Sequence, residues 1–150
     1  MAKILDVRLR SGVSDQGLSL GEDSGQYFQA LSGLWSYYMS RGPVTTAQEI
    51  ATQLLSIAER SGDLGLRISP LSMLADVVYN LGRFEEAVER CEEGIALDQE
   101  RAALDSAYAG SDDPGIMCRM WASWALSRLG YQRRAQAMAD EALRLGSEHT

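Results

Sequence analysis

Apolar side chains recur at intervals of three and four residues along most of the chain, which predicts amphipathic helices. The first such stripe comprises Phe28, Leu31, Leu34, Trp35 and Tyr38. Five more stripes follow, over residues 47–58, 71–81, 84–97, 116–129 and 135–143. No segment shows sustained alternation of apolar and polar residues, so the pattern predicts an all-α fold without a sheet.

The same kind of glycine turn separates helical stripes at three places, around Gly42, Gly82 and Gly130. Each turn follows one stripe and precedes another, and the glycines are spaced by one helix pair plus a variable connection. This punctuation predicts about three antiparallel helix-turn-helix repeats, stacked side by side as an α-α superhelix, or solenoid.

Local signals predict where the helices begin and end. We expect Thr45 or Thr46 to cap the second helix, and residues 61–63 to end it. We expect Ser69-Pro70 to begin the third helix, because proline is tolerated in the first turn. The Asp112-Asp113-Pro114-Gly115 sequence predicts a helix start capped by an aspartate, and the connection over 98–114 has room for one short helical turn.

These boundaries predict two parts of the chain. Residues 1–24 form an N-terminal arm, because Gly12, Gly17 and Gly21 interrupt any helix there. Residues 25–150 form the helical-repeat domain, with repeats at about 26–62, 69–99 and 114–147.

Composition narrows the class of partner. The 150 residues, 45% of them apolar, suffice for one domain with a continuous core. Fourteen Lys and Arg against 21 Asp and Glu give a net charge of -7, which disfavours nucleic acid as a partner. We expect neither a secretion signal nor a membrane span. Cys91 and Cys118 each lie in an apolar stripe, which predicts buried, reduced thiols and a cytoplasmic location.

Candidate catalytic groups are few. The one histidine, His149, is the penultimate residue, where it is poorly placed to act as a general base. Neither G-x-x-x-x-G-K-[ST] nor G-x-G-x-x-G occurs, so no phosphate-binding loop or cofactor is predicted. We therefore predict a protein that is not an enzyme, with an enzyme acting on a small molecule left as a third hypothesis.

Two groups of acidic residues were weighed as metal sites. The glutamates of residues 85–93 lie on one helix face, which is typical of a solvated surface and not of a calcium loop. Asp105, Asp112 and Asp113 occupy a connection that could wrap a cation, but a helix cap is the favoured interpretation. No metal is predicted.

The segment GRFEEA, residues 82–87, followed by Gly94, resembles the second half of a tetratricopeptide repeat, G-x-[YF]-x-x-A. The other two repeats keep the glycine and the small residues, with Gly42 and Ala47 in the first, and Gly130, Ala135 and Ala142 in the third. Both lack the aromatic residue two positions after the glycine. The resemblance implies a solenoid that binds a protein or peptide, with Ala87 and Gly94 where helices approach closely.

Residues 25–150 also resemble the helical-repeat region downstream of the ATPase module in large bacterial signalling proteins, some of which carry an adenylate or guanylate cyclase domain. The residues that carry this resemblance are GLWSYY at 33–38, DPG at 113–115, WAL at 124–126 and LGY at 129–131. The chain lacks the phosphate-binding loop and the cyclase. The resemblance implies a detached repeat module, so a regulatory part of such a system is an alternative function.

The repeat register places the first helix of each pair on the concave face. The predicted peptide-binding groove comprises Gln29, Ser32, Ser36, Met39, Ser72, Asp76, Tyr79, Asn80, Met120, Trp124 and Arg128. Trp35 and Trp121 are expected to point into the core instead. Aromatic anchors beside polar groups suit a peptide, so we predict a non-catalytic scaffold or adaptor. The alternative is a structural homodimer that covers an apolar flank of the last repeat.

Overall fold

The structure, a computed structural model, describes residues 22–104 and 113–148, which form six helices and no strand. The helices are α1 (Glu22–Arg41), α2 (Val44–Ser61), α3 (Leu64–Asn80), α4 (Phe84–Leu104), α5 (Pro114–Arg128) and α6 (Gln132–Ser147). The predicted all-α fold is confirmed for these residues. None of the described helices is long and apolar enough to cross a membrane.

Identical turns join α3 to α4 and α5 to α6. Gly82 and Gly130 adopt φ values of 77° and 87°, in the left-handed region that favours glycine. In each turn the next residue's N–H donates to a carbonyl five residues earlier, from Arg83 to Val78 and from Tyr131 to Leu126, both at 2.9 Å. These bonds satisfy carbonyls at the end of the first helix. The turns predicted from the glycine punctuation are therefore present.

The predicted cap of α2 is wrong. The helix begins at Val44, with Pro43 in the extended N-cap conformation and no side-chain hydrogen bond from the cap. Neither Thr45 nor Thr46 takes that role. Instead the Pro43 carbonyl accepts from the N–H of Thr46 at 2.9 Å, so the backbone closes the first turn.

The predicted start of α3 at Ser69-Pro70 is also wrong. The helix begins at Leu64, and the Asp63 carboxylate caps it by accepting from the Leu66 N–H at 3.2 Å. Pro70 lies inside the helix. The added turn includes Ile68, which is fully buried, and this burial outweighs the backbone hydrogen bond that Pro70 cannot donate.

Two other boundaries differ from the sequence prediction. α4 continues without a break to Leu104, so residues 98–104 belong to a helix and the second helix pair spans residues 64–104, not 69–99. α1 begins at Glu22, so residues 22–24 of the predicted N-terminal arm belong to a helix. Residues 1–21 and 105–112 lie outside the described residues. The Asp113 cap of α5 is confirmed, since its carboxylate accepts from the Gly115 N–H at 2.7 Å.

Three apolar clusters hold the helices together. The cluster between α1 and α2 consists of Tyr27, Leu31, Ile50, Leu54 and Ile57. A second joins α3, α4 and α5 through Ile68, Leu71, Ala75, Cys91, Ile95, Leu97, Cys118 and Ala122. A third joins the last four helices through Val78, Ala87, Val88, Ala125, Leu126 and Ala135. The predicted stripes therefore supply most of the core.

The three helix pairs are not attached to one another in the same way. α5 packs against both α3 and α4, so the third pair meets the second through two helices. The first pair meets the second mainly through α2 and α3, because α1 makes no extensive contact with α3. The described helices are thus stacked regularly only over the second and third pairs.

A buried ionic network joins the end of α4 to the start of α5. Asp98 and Arg119 are 8% and 3% exposed, and the Arg119 Nη1 donates to one Asp98 oxygen at 2.7 Å. Arg101 donates to the other Asp98 oxygen at 2.8 Å and lies 3.6 Å from the Asp113 carboxylate. The sequence analysis did not predict this network.

Cys91 and Cys118 are free and buried, as predicted. Burial raises the pKa of both thiols, that of Cys118 to about 12. Both therefore stay protonated at neutral pH and act as small apolar side chains. The sulfur of Cys118 lies against the backbone of α4, where a Cβ added at Gly94 would be 2.6 Å from it. Gly94 thus allows α4 and α5 to approach closely.

Candidate functional site

An aromatic cluster lies where α3 meets α5. The ring of Tyr79 is centred 5.3 Å from that of Trp121 and 6.4 Å from that of Trp124, and the two indoles meet edge to face at 4.8 Å. Phe84, at the start of α4, contacts the other side of Tyr79 at 5.3 Å. Trp124 remains 47% exposed. The cluster is therefore a fixed aromatic surface that is still open to solvent.

Arg128 adds a positive charge to this cluster. Its Nε donates to the Tyr79 hydroxyl at 3.2 Å, across from α5 to α3. The guanidinium itself stays exposed. This hydrogen bond orients the Tyr79 ring and leaves other N–H groups of Arg128 directed to solvent, where they can donate to a ligand carbonyl or carboxylate.

Asp76 lies one turn before Tyr79 and Asn80 on α3 and is partly buried. Partial burial raises the pKa of its carboxyl from 3.8 to about 6, and a hydrogen bond from the Asn80 amide at 2.7 Å opposes this shift. Among the described residues no cation pairs with it within 4 Å. A carboxylate that is costly to ionise therefore lies on the same helix as Tyr79.

The cost of this carboxylate predicts a gain in stability when it is removed. Because the folded-state pKa is above the unfolded value, stability falls as the pH rises from about 4 to about 6. The Asp76→Asn protein keeps an acceptor for Asn80 and avoids the charge. After discounting for solvent screening, we expect its free energy of unfolding at pH 7.5 to be about 1 kcal/mol higher than that of the wild type.

Urea unfolding of the Asp76→Asn protein and the wild type, repeated at pH 4 and pH 7.5, checks this expectation. The two proteins should differ more at the higher pH than at the lower one, where Asp76 is protonated in the folded state and only about half ionised in the unfolded state. Asp140→Asn, which removes an exposed carboxylate hydrogen-bonded to Gln136, is the matched control and should change little. If the Asp76→Asn and Asp140→Asn proteins were equally stable at pH 7.5, the conclusion that the Asp76 carboxylate is costly to ionise would be contradicted.

The structure places the eleven predicted groove residues in two groups. Those of α3 and α5 are partly joined, through Tyr79 with Trp124 and Arg128, and through Asp76 with Asn80. Ser72 is 8% exposed and offers little surface. The α1 residues Gln29, Ser32, Ser36 and Met39 form a separate group, and no described hydrogen bond or ring contact joins them to the others. The α1 residues therefore lie apart from the α3–α5 group, because α1 makes no extensive contact with α3, and a groove across all three pairs stays a prediction.

A second concave feature, which we call the α5–α6 groove, lies on a side of the last helix pair that no other described helix covers. It has a volume of about 620 Å³ and an almost entirely apolar lining. Its lining residues are Ile116, Met120, Ser123, Trp124, Ala139, Ala142, Leu143, Gly146 and Ser147. Met120, predicted to belong to the peptide-binding groove, lies here, and Trp124 belongs to both surfaces.

Sequence reasoning missed the role of Trp121. It was expected to point into the core, and it does pack against the apolar cluster of α3, α4 and α5. The same ring also contacts Tyr79 and Trp124, so it holds the exposed indole of Trp124 in place. The signal was available in the spacing of the two tryptophans, because residues three apart on a helix are neighbours.

These surfaces carry groups that can pack against a ligand and form hydrogen bonds with it. In the described ranges, no three His, Cys, Asp or Glu side chains come together as a metal site. The α3–α5 surface combines aromatic faces, an amide, a carboxylate and a guanidinium, which can contact a ligand by packing and hydrogen bonds. No family model, curated protein or solved structure matches this chain.

Proposed function

We propose that this chain is a non-catalytic module that binds a protein segment on the face shared by α3 and α5. The observation that carries the proposal is the cluster of Tyr79, Trp121 and Trp124 beside Arg128. Aromatic residues and arginine are the side chains most often found to dominate binding energy in protein interfaces. Here they lie together, already ordered by contacts with one another.

Preorganisation supports this surface as the binding site. Tyr79 is held between Phe84, Trp121 and Arg128, so its ring loses little freedom when a ligand arrives. The cost of ordering side chains at an interface is therefore small. The partly buried Asp76 adds a destabilising group one turn away, and such groups occur at functional sites more often than elsewhere.

The segment that suits this surface has a bulky apolar or aromatic side chain to stack on Trp124. Next to it, backbone carbonyls or a carboxylate would accept from Arg128, and a basic side chain would approach Asp76. The mode resembles the peptide recognition implied by the tetratricopeptide pattern, shortened to two helix pairs. The helix-pair architecture supports such a repeat, with the first pair as its divergent member.

A selection from a random peptide display library against the full chain tests this proposal. A selected peptide should quench or shift tryptophan fluorescence, because two of the three tryptophans lie in the cluster. We expect Tyr79→Ala or Trp124→Ala to weaken that peptide's binding about thirtyfold, the effect of losing an anchor worth about 2 kcal/mol.

Tyr37→Ala is the matched control, since Tyr37 is an exposed aromatic residue on α1, outside the cluster. It should bind the selected peptide as the wild type does. Tyr79→Phe separates packing from hydrogen bonding, because it keeps the ring and removes the acceptor for Arg128. The proposal would be refuted if the selected peptides bound the Tyr79→Ala and Trp124→Ala proteins as tightly as the wild type, with both variants shown to be folded by circular dichroism.

A further inference from the structure

Asp76 lies beside the aromatic cluster on the face shared by α3 and α5. It precedes Tyr79 by one helical turn, and side chains three residues apart on a helix are neighbours. When the turn glycines Gly82 and Gly130 are aligned, Asp76 corresponds to Trp124 of α5. Because α3 packs against α5 in the regular part of the stack, corresponding positions lie at the same level. A segment that crosses this face at Trp124 therefore also passes over Asp76.

The Asp76 carboxylate has a hydrogen-bond donor but no counter-charge. The neutral Asn80 amide donates to the carboxylate at 2.7 Å and to the Asp76 backbone carbonyl at 2.8 Å, which fixes the two side chains against one another. Within the described ranges no arginine forms an ion pair with Asp76, and Arg128 donates to the Tyr79 hydroxyl instead. The carboxylate is therefore oriented and partly buried, and its charge is not compensated.

Covering such a carboxylate has opposite consequences for different ligands. A basic side chain supplies the missing counter-charge and forms a charge-assisted hydrogen bond as water leaves. A neutral or acidic segment removes the water and supplies no counter-charge, and a buried carboxylate without a partner is strongly unfavourable. Such a segment is rejected unless Asp76 first takes up a proton. One uncompensated charge can thus discriminate between ligands by excluding the wrong ones.

We propose that Asp76 is the specificity-determining residue of the face shared by α3 and α5, and that it excludes segments without a lysine or arginine near the side chain that packs on Trp124. This role rests on the proposed function, the binding of a protein segment to this face, and it sets the class of segment that binds. Because Asp76 acts by exclusion, its removal broadens the range of ligands, and neutral segments gain affinity. Loss of an ordinary salt bridge would only weaken binding.

The size of the discrimination follows from the proton that a neutral ligand requires. Burial raises the pKa of Asp76 to about 6, so about 3% of the carboxyl groups are protonated at pH 7.5. A neutral segment that binds only this form has its apparent affinity lowered about thirtyfold. The Asp76→Asn protein has no such requirement, so the neutral segment should bind it up to about thirtyfold more tightly. A basic segment should bind the same variant more weakly, because its counter-charge is gone.

Parallel peptide selections against the wild type and the Asp76→Asn protein test this role. Both use the full chain, the same random display library and pH 7.5. We expect the wild type to select peptides with a lysine or arginine near an apolar or aromatic residue, and the variant to show no preference for the basic residue. Asp76→Asn is expected to stabilise the fold, so the variant remains a valid target for selection.

A synthetic peptide from the wild-type selection separates exclusion from attraction. The basic residue shared by the selected peptides is replaced by glutamine, and tryptophan fluorescence gives the dissociation constants of both peptides. The glutamine peptide should bind the wild type at least about tenfold more weakly than the original, and should bind Asp76→Asn at least about tenfold more tightly than it binds the wild type. Asp140→Asn, which removes an exposed carboxylate on α6, is the matched control and should keep the wild-type preference.

Three results would overturn the role of Asp76. Wild-type peptides without an enriched basic residue, whose binding still depends on Tyr79 and Trp124, would overturn it and leave the proposed function standing. A glutamine peptide that binds Asp76→Asn no more tightly than the wild type would show that Asp76 excludes nothing. A selection that yields no peptide, or only peptides that bind independently of both aromatic residues, would overturn the proposed function and the role of Asp76 with it.

Discussion

Replacing Arg119 with leucine should lower the free energy of unfolding by about 3 kcal/mol, because it leaves the buried Asp98 carboxylate without its strongest partner. Arg119 is 3% exposed and donates to Asp98 at 2.7 Å and to the Gly115 carbonyl at 2.9 Å. Arg101 still contacts Asp98 after the change, which keeps the loss from being larger. Urea unfolding at neutral pH measures the difference.

Arg134→Leu is the matched control for this prediction. Arg134 also donates to a carboxylate at 2.9 Å, that of Glu92, but both side chains are 56% exposed. Such an exposed pair contributes no more than about 1 kcal/mol. A double variant with leucine at both 98 and 119 should regain much of the stability lost in Arg119→Leu, since the buried Asp98 charge is then removed together with its partner. Equal losses in the two arginine variants would show that burial does not set the cost.

Gly94→Ala should destabilise the protein by about 2 kcal/mol, although alanine is the better helix former. The added Cβ would lie 2.6 Å from the Cys118 sulfur and 3.6 Å from the Cβ of Leu71, so α4 would have to move away from α5. The apolar cluster of α3, α4 and α5 lies at this approach. Thermal or urea unfolding measures the change.

Gly33→Ala is the control with the opposite expected sign. Gly33 lies inside α1, and a Cβ there meets nothing within 4 Å, so alanine should stabilise by about 0.5–1 kcal/mol. Cys118→Ala removes the sulfur that Gly94→Ala would strike. The double variant should therefore be more stable than the sum of the two single effects predicts. If the losses in Gly94→Ala and Cys118→Ala were additive, contact with the Cys118 sulfur would not be the reason that Gly94 is required.

Sequence periodicity was enough to predict the six helices and their pairing, because one apolar stripe per helix forms the core. The glycines at 82 and 130 and the aspartate at 113 also marked turns and a cap correctly. The predicted start of α3 was wrong because it relied on the preference of proline for the first turn of a helix. Here the burial of side chains in the core determines where the helix begins. Ile68 lies in the core, and its burial extends the helix through the position before Pro70.

The buried network could not be predicted from charge alone, because Asp98 and Arg119 are far apart in sequence and look like residues of solvated helix ends. One signal was present. Gly115, Arg119, Ala122 and Leu126 follow one another at spacings of four, three and four, which places the arginine on the apolar face of α5. The lack of extensive contact between α1 and α3 could not be predicted from the sequence. Periodicity indicates which face of a helix is buried, but it does not indicate which other helix covers that face.

The uneven attachment of the helix pairs bears on how the molecule opens. In a stack of helix pairs each unit is stabilised by its neighbours, so a pair held through one interface opens at a lower free energy than a pair held through two. The first pair, α1 with α2, is held to the rest mainly through α3. It can therefore detach as a unit while the aromatic surface of α3 and α5 stays intact, which uncouples the most labile part of the fold from the part that we propose binds.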